Sequence, residues 1–306
     1  IVYGANAFAK LDDGGPPPAM PDWSPVRAFG GYGAWADAAS GQNVERRAGI
    51  YNHPALGDEH ISLTAPGNVG DGARMAESVG GHVVSDIPNA GAWMPISRVP
   101  RPDGTFGAII HSVNQGKPGM IAVLRNGRRF ADESVSYHDF VERLVAHPDS
   151  GRPAGAFLIC DQTAFAKYGL GYAKPFLPTR GLIDTGYLYK ADSIAALAAM
   201  IGVDADVLGR TVTEYNRHAA MGEDPEFGKG RSVYGHYLGD AGNPINPNVA
   251  PLDNGPFYAV WMHAGDIGNF AGIRTDENAR VLRADGTEVA GLFAVGNDMA
   301  SVFRGR

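Results

Sequence analysis

The sequence has little cysteine, no block of basic residues and no long apolar run, and each absence removes a class of protein. One cysteine in 306 residues excludes an internal disulfide framework. The 26 basic and 33 acidic residues give a net charge of −7, without a cluster suited to a phosphate backbone. We therefore expect no nucleic-acid partner and no transmembrane segment. The cysteine usage favours a cytoplasmic location, with a secreted protein that lacks disulfides as the alternative.

Several motifs of catalysis and binding are missing as well. The nine histidines are scattered without an HExxH pattern or a Cys/His cluster, so we expect no metal site. No Gly-x-Ser-x-Gly elbow supplies a hydrolase nucleophile. Cys160 lies in the apolar run 156–160, which predicts a buried strand where a thiolate is disfavoured. Neither a G-x-G-x-x-G fingerprint nor a Walker A loop occurs.

What the chain does have is an ordinary globular composition that is rich in turn formers. It is 44% hydrophobic and 19% charged, and its length suits about two domains. The 42 glycines and 21 prolines predict many tight turns. Such turns suit an enzyme whose backbone approaches a cofactor closely, although composition alone does not establish one.

The clearest local signal lies near the end of the chain. An apolar run from Gly291 to Val295 is followed by Gly296, Asn297 and Asp298. This order predicts a buried strand that delivers backbone amides to a ligand at a helix start. Because the chain begins at Ile1 rather than methionine and stops at Arg306, we expect a segment of a longer protein.

A second glycine-bearing segment, residues 70–72, opens a predicted helix that ends at a glycine pair and returns to a strand at 82–84. The apolar residues expected to share one face of this helix are Met75, Ala76 and Val79. Glycines flanking an acid let main-chain amides approach a ligand, but Asp71 is explained equally well as a helix cap that contributes about 1 kcal/mol. The glycine pair at 30–31 is a weaker signal, since such pairs are often only turns.

A third segment, residues 125–140, contains a candidate for proton transfer. Ser136 and Asp139 have the spacing of a capping box, which would set Tyr137 in the first turn of a helix. Tyrosine is a poor base near neutral pH, but a helix N-terminus favours the phenolate. The alternative is that Tyr137 packs in a core and His138 lies at the surface. On that interpretation the neighbouring charges are solvated hairpin residues: Arg128, Arg129, Asp132 and Glu133.

The predicted organisation is a nucleotide-binding layer interrupted by a second domain. We expect an unmatched tail at 1–25, a binding layer formed by 26–90 and 236–306, and a mixed cap at 91–235. Hairpins are predicted at Asn126-Gly127 and Asp285-Gly286. The cap is rich in aromatic residues that form either its core or an apolar substrate cleft.

Taken together, these pieces carry a family resemblance. The motifs are GNVGDGARMAESVGG, NGRRFADESVSYHDF, TVTEYNRHAAMGEDPEFGKG and GDIGNFAGIRTDENARVLRADGTEVAGLFAVGNDMAS. In order and spacing, residues 26–306 resemble the FAD-dependent oxidoreductases related to the fumarate reductase/succinate dehydrogenase flavoprotein and to 3-ketosteroid Δ1-dehydrogenase. The resemblance implies an α/β fold in which a split Rossmann-like FAD-binding domain is interrupted by an α+β substrate-binding cap.

The resemblance also implies site residues and a reaction. Tyr137 would be the base that removes a proton beside a ketone, while FAD takes a hydride from the neighbouring carbon. The substrate would be a steroid-like or other small apolar ketone, and the electron acceptor is unknown. The residues implied to approach FAD are Gly30, Gly31, Gly70, Asp71, Gly72, Gly268, Asn269, Gly272, Gly296, Asn297 and Asp298.

Departures from the family pattern leave alternatives open. In the fumarate reductases an arginine stands at the position of Tyr137 and a histidine at that of Gly268, which disfavours a fumarate reductase-like ene-reductase. The family's G-x-G-x-x-G is expected before residue 26 and its Tyr-x-Gly-x-Gly after Arg306. Without these anion and oxyanion contacts we expect weak FAD binding and little turnover, so a non-catalytic fragment or binding module is a further alternative.

Overall fold

A computed structural model describes residues 8–10, 61–63, 71–87, 89–151 and 153–303. The strands are β1 (Phe8–Lys10), β2 (Ile61–Ser62), β3 (Val83–Val84), β4 (Gly91–Pro100), β5 (Phe106–Ile110), β6 (Met120–Val123), β7 (Gly155–Cys160), β8 (Tyr189–Ala191), β9 (Phe257–Asn269), β10 (Gly272–Ile273), β11 (Arg280–Leu282) and β12 (Glu288–Ala294). The α-helices are α1 (Asp71–Ser78), α2 (Tyr137–Ala146), α3 (Gln162–Tyr168), α4 (Arg180–Asp184), α5 (Ile194–Ile201), α6 (Ala205–Ala219) and α7 (Val233–Leu238). None of these helices is long and apolar enough to cross a membrane.

The chain forms two compact units. The described part of the first consists mainly of residues 61–92 and 266–303, and the second runs from Trp93 to Gly265. Residues 236–265, which the sequence analysis grouped with the binding layer, thus lie in the second unit. The predicted division into cofactor and cap domains stays a prediction, because compactness alone does not identify what a unit binds.

The second unit is built on an antiparallel sheet with the strand order β5-β4-β9-β7-β6. β7 pairs with β6 on one side and with β9 on the other, and every residue of β7 is buried. A continuous apolar run suits a strand covered on both faces. Cys160 is fully buried in β7, and burial raises the pKa of its thiol well above the ordinary range. The interpretation of this residue as a small core hydrophobe is confirmed.

Helices α5 and α6 supply the main core of the second unit. Their apolar side chains meet the sheet in one cluster that includes Leu197, Ile201, Leu208, Val212, Ile121, Phe157, Ile159 and Ala259. Both helices begin at side-chain caps, because Ser193 and Asp204 each accept a hydrogen bond from the backbone three residues later. The predicted turn at Asn126-Gly127 is present, with Gly127 at φ +77°. Its second arm, however, is a single bridge between Val123 and Arg129 rather than a strand.

In the first unit, α1 packs against β3 and β10, which pair antiparallel with each other. The predicted hairpin at Asp285-Gly286 is confirmed by the antiparallel pairing of β11 with β12. The helix at α1 is confirmed, but its predicted apolar face is wrong. Met75 is 47% and Val79 is 52% exposed, whereas Ala76 is buried against Ile273 and its neighbours. The close approach of the helix selects a small side chain over the longer ones.

Candidate functional site

The segment after β12 forms a 3₁₀ turn over Gly296–Asp298. Gly296 adopts φ +63°, a conformation that side-chain-bearing residues rarely take. Asn269, Gly296 and Asn297 line a common cavity of about 230 Å³. The structure therefore brings three of the sequence-predicted residues together, all within the first unit.

Two acceptor atoms beside this turn lack hydrogen-bond partners. Asp298 Oδ2 and Asn269 Oδ1 are buried and have no partner among the residues that the structure describes. Asp298 is only 5% exposed, and burial raises the pKa of its carboxyl group to about 7. Unsatisfied buried oxygens are costly, and a ligand or water that donates hydrogen bonds relieves them. An acidic side chain here suits the hydroxyl or N–H groups of a neutral ligand moiety and disfavours a phosphate.

Gly272 permits two backbone segments to approach each other next to the turn. A Cβ atom at this position would lie 2.5 Å from the carbonyl carbon and 2.6 Å from the oxygen of Met299. Ile273 forms a parallel bridge with Met299, and its carbonyl accepts a 2.8 Å hydrogen bond from the backbone of Ala300. A glycine is thus required at position 272 because its backbone packs against Met299, directly after the Gly296–Asp298 turn.

The end of β9 carries a buried acid that sequence reasoning missed. Asp266 is fully buried, and its Oδ1 accepts hydrogen bonds of 2.9 Å from Gly268 N and from Ser62 Oγ. Gly268 itself has φ +146°. An acid two residues before a glycine, as in the sequence Gly-Asp-Ile-Gly, was the available signal for this local turn.

The other predicted cofactor residues are placed as follows. Gly30, Gly31 and Gly70 lie outside the described residues. Asp71 is the first residue of α1, and Gly72 is buried in the same helix. Gly72 is not among the residues lining the cavity beside the 296–298 turn. The structure thus groups the later glycine-bearing segments and leaves the contribution of the earlier ones a prediction.

Tyr137 lies in the second unit, at the first position of α2, and is partly exposed. Ser136 caps the helix, since its Oγ accepts a 3.1 Å hydrogen bond from Asp139 N. The cap predicted from the sequence is therefore present.

His138 is not the surface residue that the alternative interpretation expected. Its ring is half-buried, and its Nδ1 accepts a hydrogen bond of 3.3 Å from Trp93 N. Burial lowers the pKa of His138, although Glu142 and Asp139 oppose that shift. Since the following residue on the inner face, Phe140, is fully buried, α2 is fixed to the unit directly behind Tyr137.

The charges that precede α2 are not solvated hairpin residues either, with the exception of Arg128. Arg129, Asp132 and Glu133 are buried. Arg129 forms two-pronged pairs at 2.8–2.9 Å with both Glu133 and Asp224. Lys229, also fully buried, lies 3.5 Å from Glu133. We call Arg129, Glu133, Asp224 and Lys229 the buried charge network. Asp224 and Lys229 lie far from Arg129 and Glu133 in sequence, so no local pattern could reveal this pairing.

Comparison with known proteins identifies the class of protein to which this fold and glycine-bearing turn belong. The chain belongs to the FAD binding domain family, which matches residues 26–306. This confirms the predicted resemblance and FAD as the cofactor. Within the family, the chain is similar to 4-oxocyclohex-2-ene-1-carboxylate 5-dehydrogenase of Sinomonas cyclohexanicum. The two are 42% identical over 264 residues, which cover 86% of this chain and 45% of that protein.

Further relatives are steroid dehydrogenases. The chain is 35% identical over 248 residues to 3-oxosteroid 1-dehydrogenase of Mycobacterium tuberculosis, covering 79% of this chain and 43% of that one. The crystal structure of 3-ketosteroid Δ1-dehydrogenase from Sterolibacterium denitrificans in complex with 1,4-androstadiene-3,17-dione matches with a TM-score of 0.70 at 31% identity. That match covers 79% of this chain and 43% of the other, and it confirms the predicted fold class. The chain spans less than half the length of these relatives.

Proposed function

We propose that the protein is an FAD-dependent dehydrogenase that acts on CH–CH groups and desaturates a cyclic ketone. The names of its relatives support this proposal, since they describe dehydrogenases of oxocyclohexene carboxylates and of 3-oxosteroids. In such a reaction, a proton leaves the carbon beside the carbonyl and a hydride leaves the next carbon, so that a C=C bond forms between them. When bound, FAD supplies the acceptor for that hydride.

The observation that carries the proposal is the position of Tyr137. It is partly exposed at the capped start of α2, and its phenolic oxygen is the group that would accept the proton. The first turn of α2 is held by the buried Phe140 and by the hydrogen bond from Trp93 N to His138, while Tyr137 itself stays partly exposed. We assign proton removal from the ketone to its phenolic oxygen.

The residues proposed to hold FAD are those of the 296–298 turn together with the end of β9. Asn269 and Asp298 each offer a buried oxygen that has no partner in the described part of the chain, and these oxygens fit the hydroxyl and N–H donors of the ribityl chain and flavin ring. Gly296 and Asn297 line the same cavity as Asn269. Because Asp298 disfavours phosphate, the diphosphate must be bound by other residues.

The size of the ketone is the open part of the proposal, because relatives of both kinds match at similar coverage. We favour a steroid-like or other apolar cyclic ketone as the substrate. We place the enzyme in the cytoplasm, where a separate electron acceptor reoxidises it. Comparing kcat/KM for a 3-oxosteroid and for 4-oxocyclohexanecarboxylate on one enzyme preparation separates the two substrate sizes.

The test of the proposed role is Tyr137→Phe in the FAD-loaded protein. We expect desaturation of the ketone to fall by about a hundredfold or more, the usual contribution of a positioned base, while flavin absorbance per protein is unchanged. The matched control is Tyr189→Phe, a partly buried tyrosine on β8 that packs on Phe157. Full activity in Tyr137→Phe would remove this residue from the reaction.

A further inference from the structure

The start of α2 is preceded by a segment whose burial ends abruptly. Every residue from Arg129 to Ser134 is buried, whereas Val135, Ser136 and Tyr137 are partly exposed. The partly exposed segment that carries Tyr137 therefore follows directly after a buried segment, residues 129–134, which we call the anchor. Whatever fixes that anchor also limits how far Tyr137 can move.

We infer that the buried charge network and Ser134 are positioning groups for Tyr137, holding the start of α2 through the distant loop 224–230. This inference rests on the proposed function only for its catalytic consequence. The mechanical link between loop and helix stands on the contacts themselves, which join residues about 95 positions apart in sequence.

Glu133 ties the anchor to the central sheet. Its Oε1 accepts hydrogen bonds from Ala122 N on β6 at 3.0 Å and from Arg129 Nε at 2.9 Å. Arg129 is in turn enclosed by the rings of Tyr215 and Phe227, at 4.9 and 5.0 Å from its guanidinium carbon. A planar guanidinium held on its edges by carboxylates and on its faces by rings has little freedom to rotate.

The loop side of the network is fixed in the same way. Lys229 N donates to Asp224 Oδ2 at 3.1 Å, and Lys229 Nζ donates to the carbonyl oxygens of Gln115 and Met120. Within the network, two cations thus face two carboxylates. Removing any one of them leaves a charge without compensation in a medium of low polarity.

Ser134 connects the loop to the anchor without carrying a charge. Its Oγ accepts a 3.1 Å hydrogen bond from Gly230 N and donates one of 2.6 Å to Asp132 Oδ1. Gly235 of α7 packs on the same hydroxyl, since a Cβ there would lie 2.8 Å from it. Ser134 is therefore the place where the link can be cut while the four charges stay paired.

The deciding variant is Ser134→Ala, with Ser193→Ala as its matched control. Ser193 is also a serine of the second unit with one backbone partner, Ala196 N on α5. We expect amide hydrogen exchange at Asp139 and Phe140 to accelerate by about tenfold or more in Ser134→Ala while Ala196 and Leu197 stay unchanged. Ser193→Ala gives the reverse pattern. Unchanged exchange at the start of α2 overturns the inference.

Kinetics of the FAD-loaded protein give the second readout. In Ser134→Ala we expect kcat for the ketone to fall by about tenfold with little change in KM, because a base displaced by a fraction of an ångström still allows substrate to bind. Lys229→Met should show the same fall in kcat with little change in KM. The control is Lys190→Met, at an exposed lysine, which should change neither constant. If KM rises while kcat is unchanged, or if neither constant changes, these residues do not position Tyr137.

The two proposals fail in different ways. If Tyr137→Phe keeps full activity while Ser134→Ala still loosens α2, the proposed function is wrong and the mechanical link holds. If Tyr137→Phe is inactive while Ser134→Ala changes neither exchange nor kcat, the proposed function stands and the positioning role is refuted.

Discussion

The two candidate functional segments, one in each compact unit, are held by opposite means. Before Tyr137, the backbone is fixed by large charged side chains, Arg129 and Glu133, that are completely enclosed. The backbone next to the 296–298 turn is fixed instead by the absence of a side chain at Gly272, where the Met299 backbone leaves no room for a Cβ. The first arrangement pairs each of the four charges of the network, and the second leaves Asp298 Oδ2 without a hydrogen-bond partner among the described residues.

The two segments are therefore destabilised by different kinds of substitution. A paired buried network loses most stability when one of its charges is removed, because the partner charge is left without compensation. A glycine-packed turn contains few side-chain contacts to lose and fails when a methyl group is added. The buried carboxyl group of Asp298, whose pKa is raised to about 7, also makes the turn sensitive to pH. The pKa values of Glu133 and Asp224 are lowered, so the network should not titrate in the neutral range.

Glu133→Gln should give the largest effect. It removes one negative charge facing Arg129 and Lys229, and we expect the free energy of unfolding to fall by about 3–5 kcal/mol. Urea denaturation measures the change. The control is Glu214→Gln, whose exposed carboxylate pairs with Arg217 and should cost less than about 1 kcal/mol. Equal losses in both variants would mean that burial of the network has no energetic consequence.

Asp298 should make the stability of the FAD-free protein depend on pH. Its pKa is near 3.8 when unfolded and about 7 when folded, so the folded state holds the proton more tightly. Stability is therefore lost as the pH rises from about 4 to above 7, by up to roughly 4 kcal/mol. Asp298→Asn should match the wild type near pH 4 and exceed it at pH 8. Parallel stability curves for the two proteins would contradict burial as the cause.

Gly272→Ala should be the corresponding test of the glycine-packed turn. The added methyl group would overlap the Met299 backbone, so we expect a loss of about 1–3 kcal/mol and a lower flavin content. Gly181→Ala is the control, since a Cβ at that helical position meets nothing within 4 Å. It should be neutral or stabilising by about 0.5–1 kcal/mol, as for alanine replacing glycine in a helix.

The sequence predicted those features of the fold that depend on neighbours along the chain. The cap at Ser136, the turns at Asn126-Gly127 and Asp285-Gly286 and the buried strand of Cys160 all have local signals, and all are present. The resemblance to FAD-dependent dehydrogenases was recognisable for a similar reason, because whole motifs rather than single residues carried it.

What the sequence could not supply depends on distant partners or on fit. Arg129 and Glu133 look like surface charges until Asp224 and Lys229 are placed beside them. Met75 and Val79 look like core residues until the close approach of α1 to β10 selects Ala76 instead. Burial of a charge or exposure of an apolar side chain is a tertiary property, and helical periodicity does not report it.

Ser136→Ala should give the smallest effect and also the most local one. Loss of the cap removes the partner of Asp139 N, which costs about 1 kcal/mol. Ser193→Ala removes an equivalent cap from α5 and should cost about as much in urea. Global stability thus cannot separate these variants, but exchange at Asp139 can, because only the first frees the turn that carries Tyr137. If Ser136→Ala lowers kcat as much as Ser134→Ala does, the cap and the anchor act on Tyr137 through the same turn. If kcat falls only in Ser134→Ala, the enclosed anchor alone sets its position.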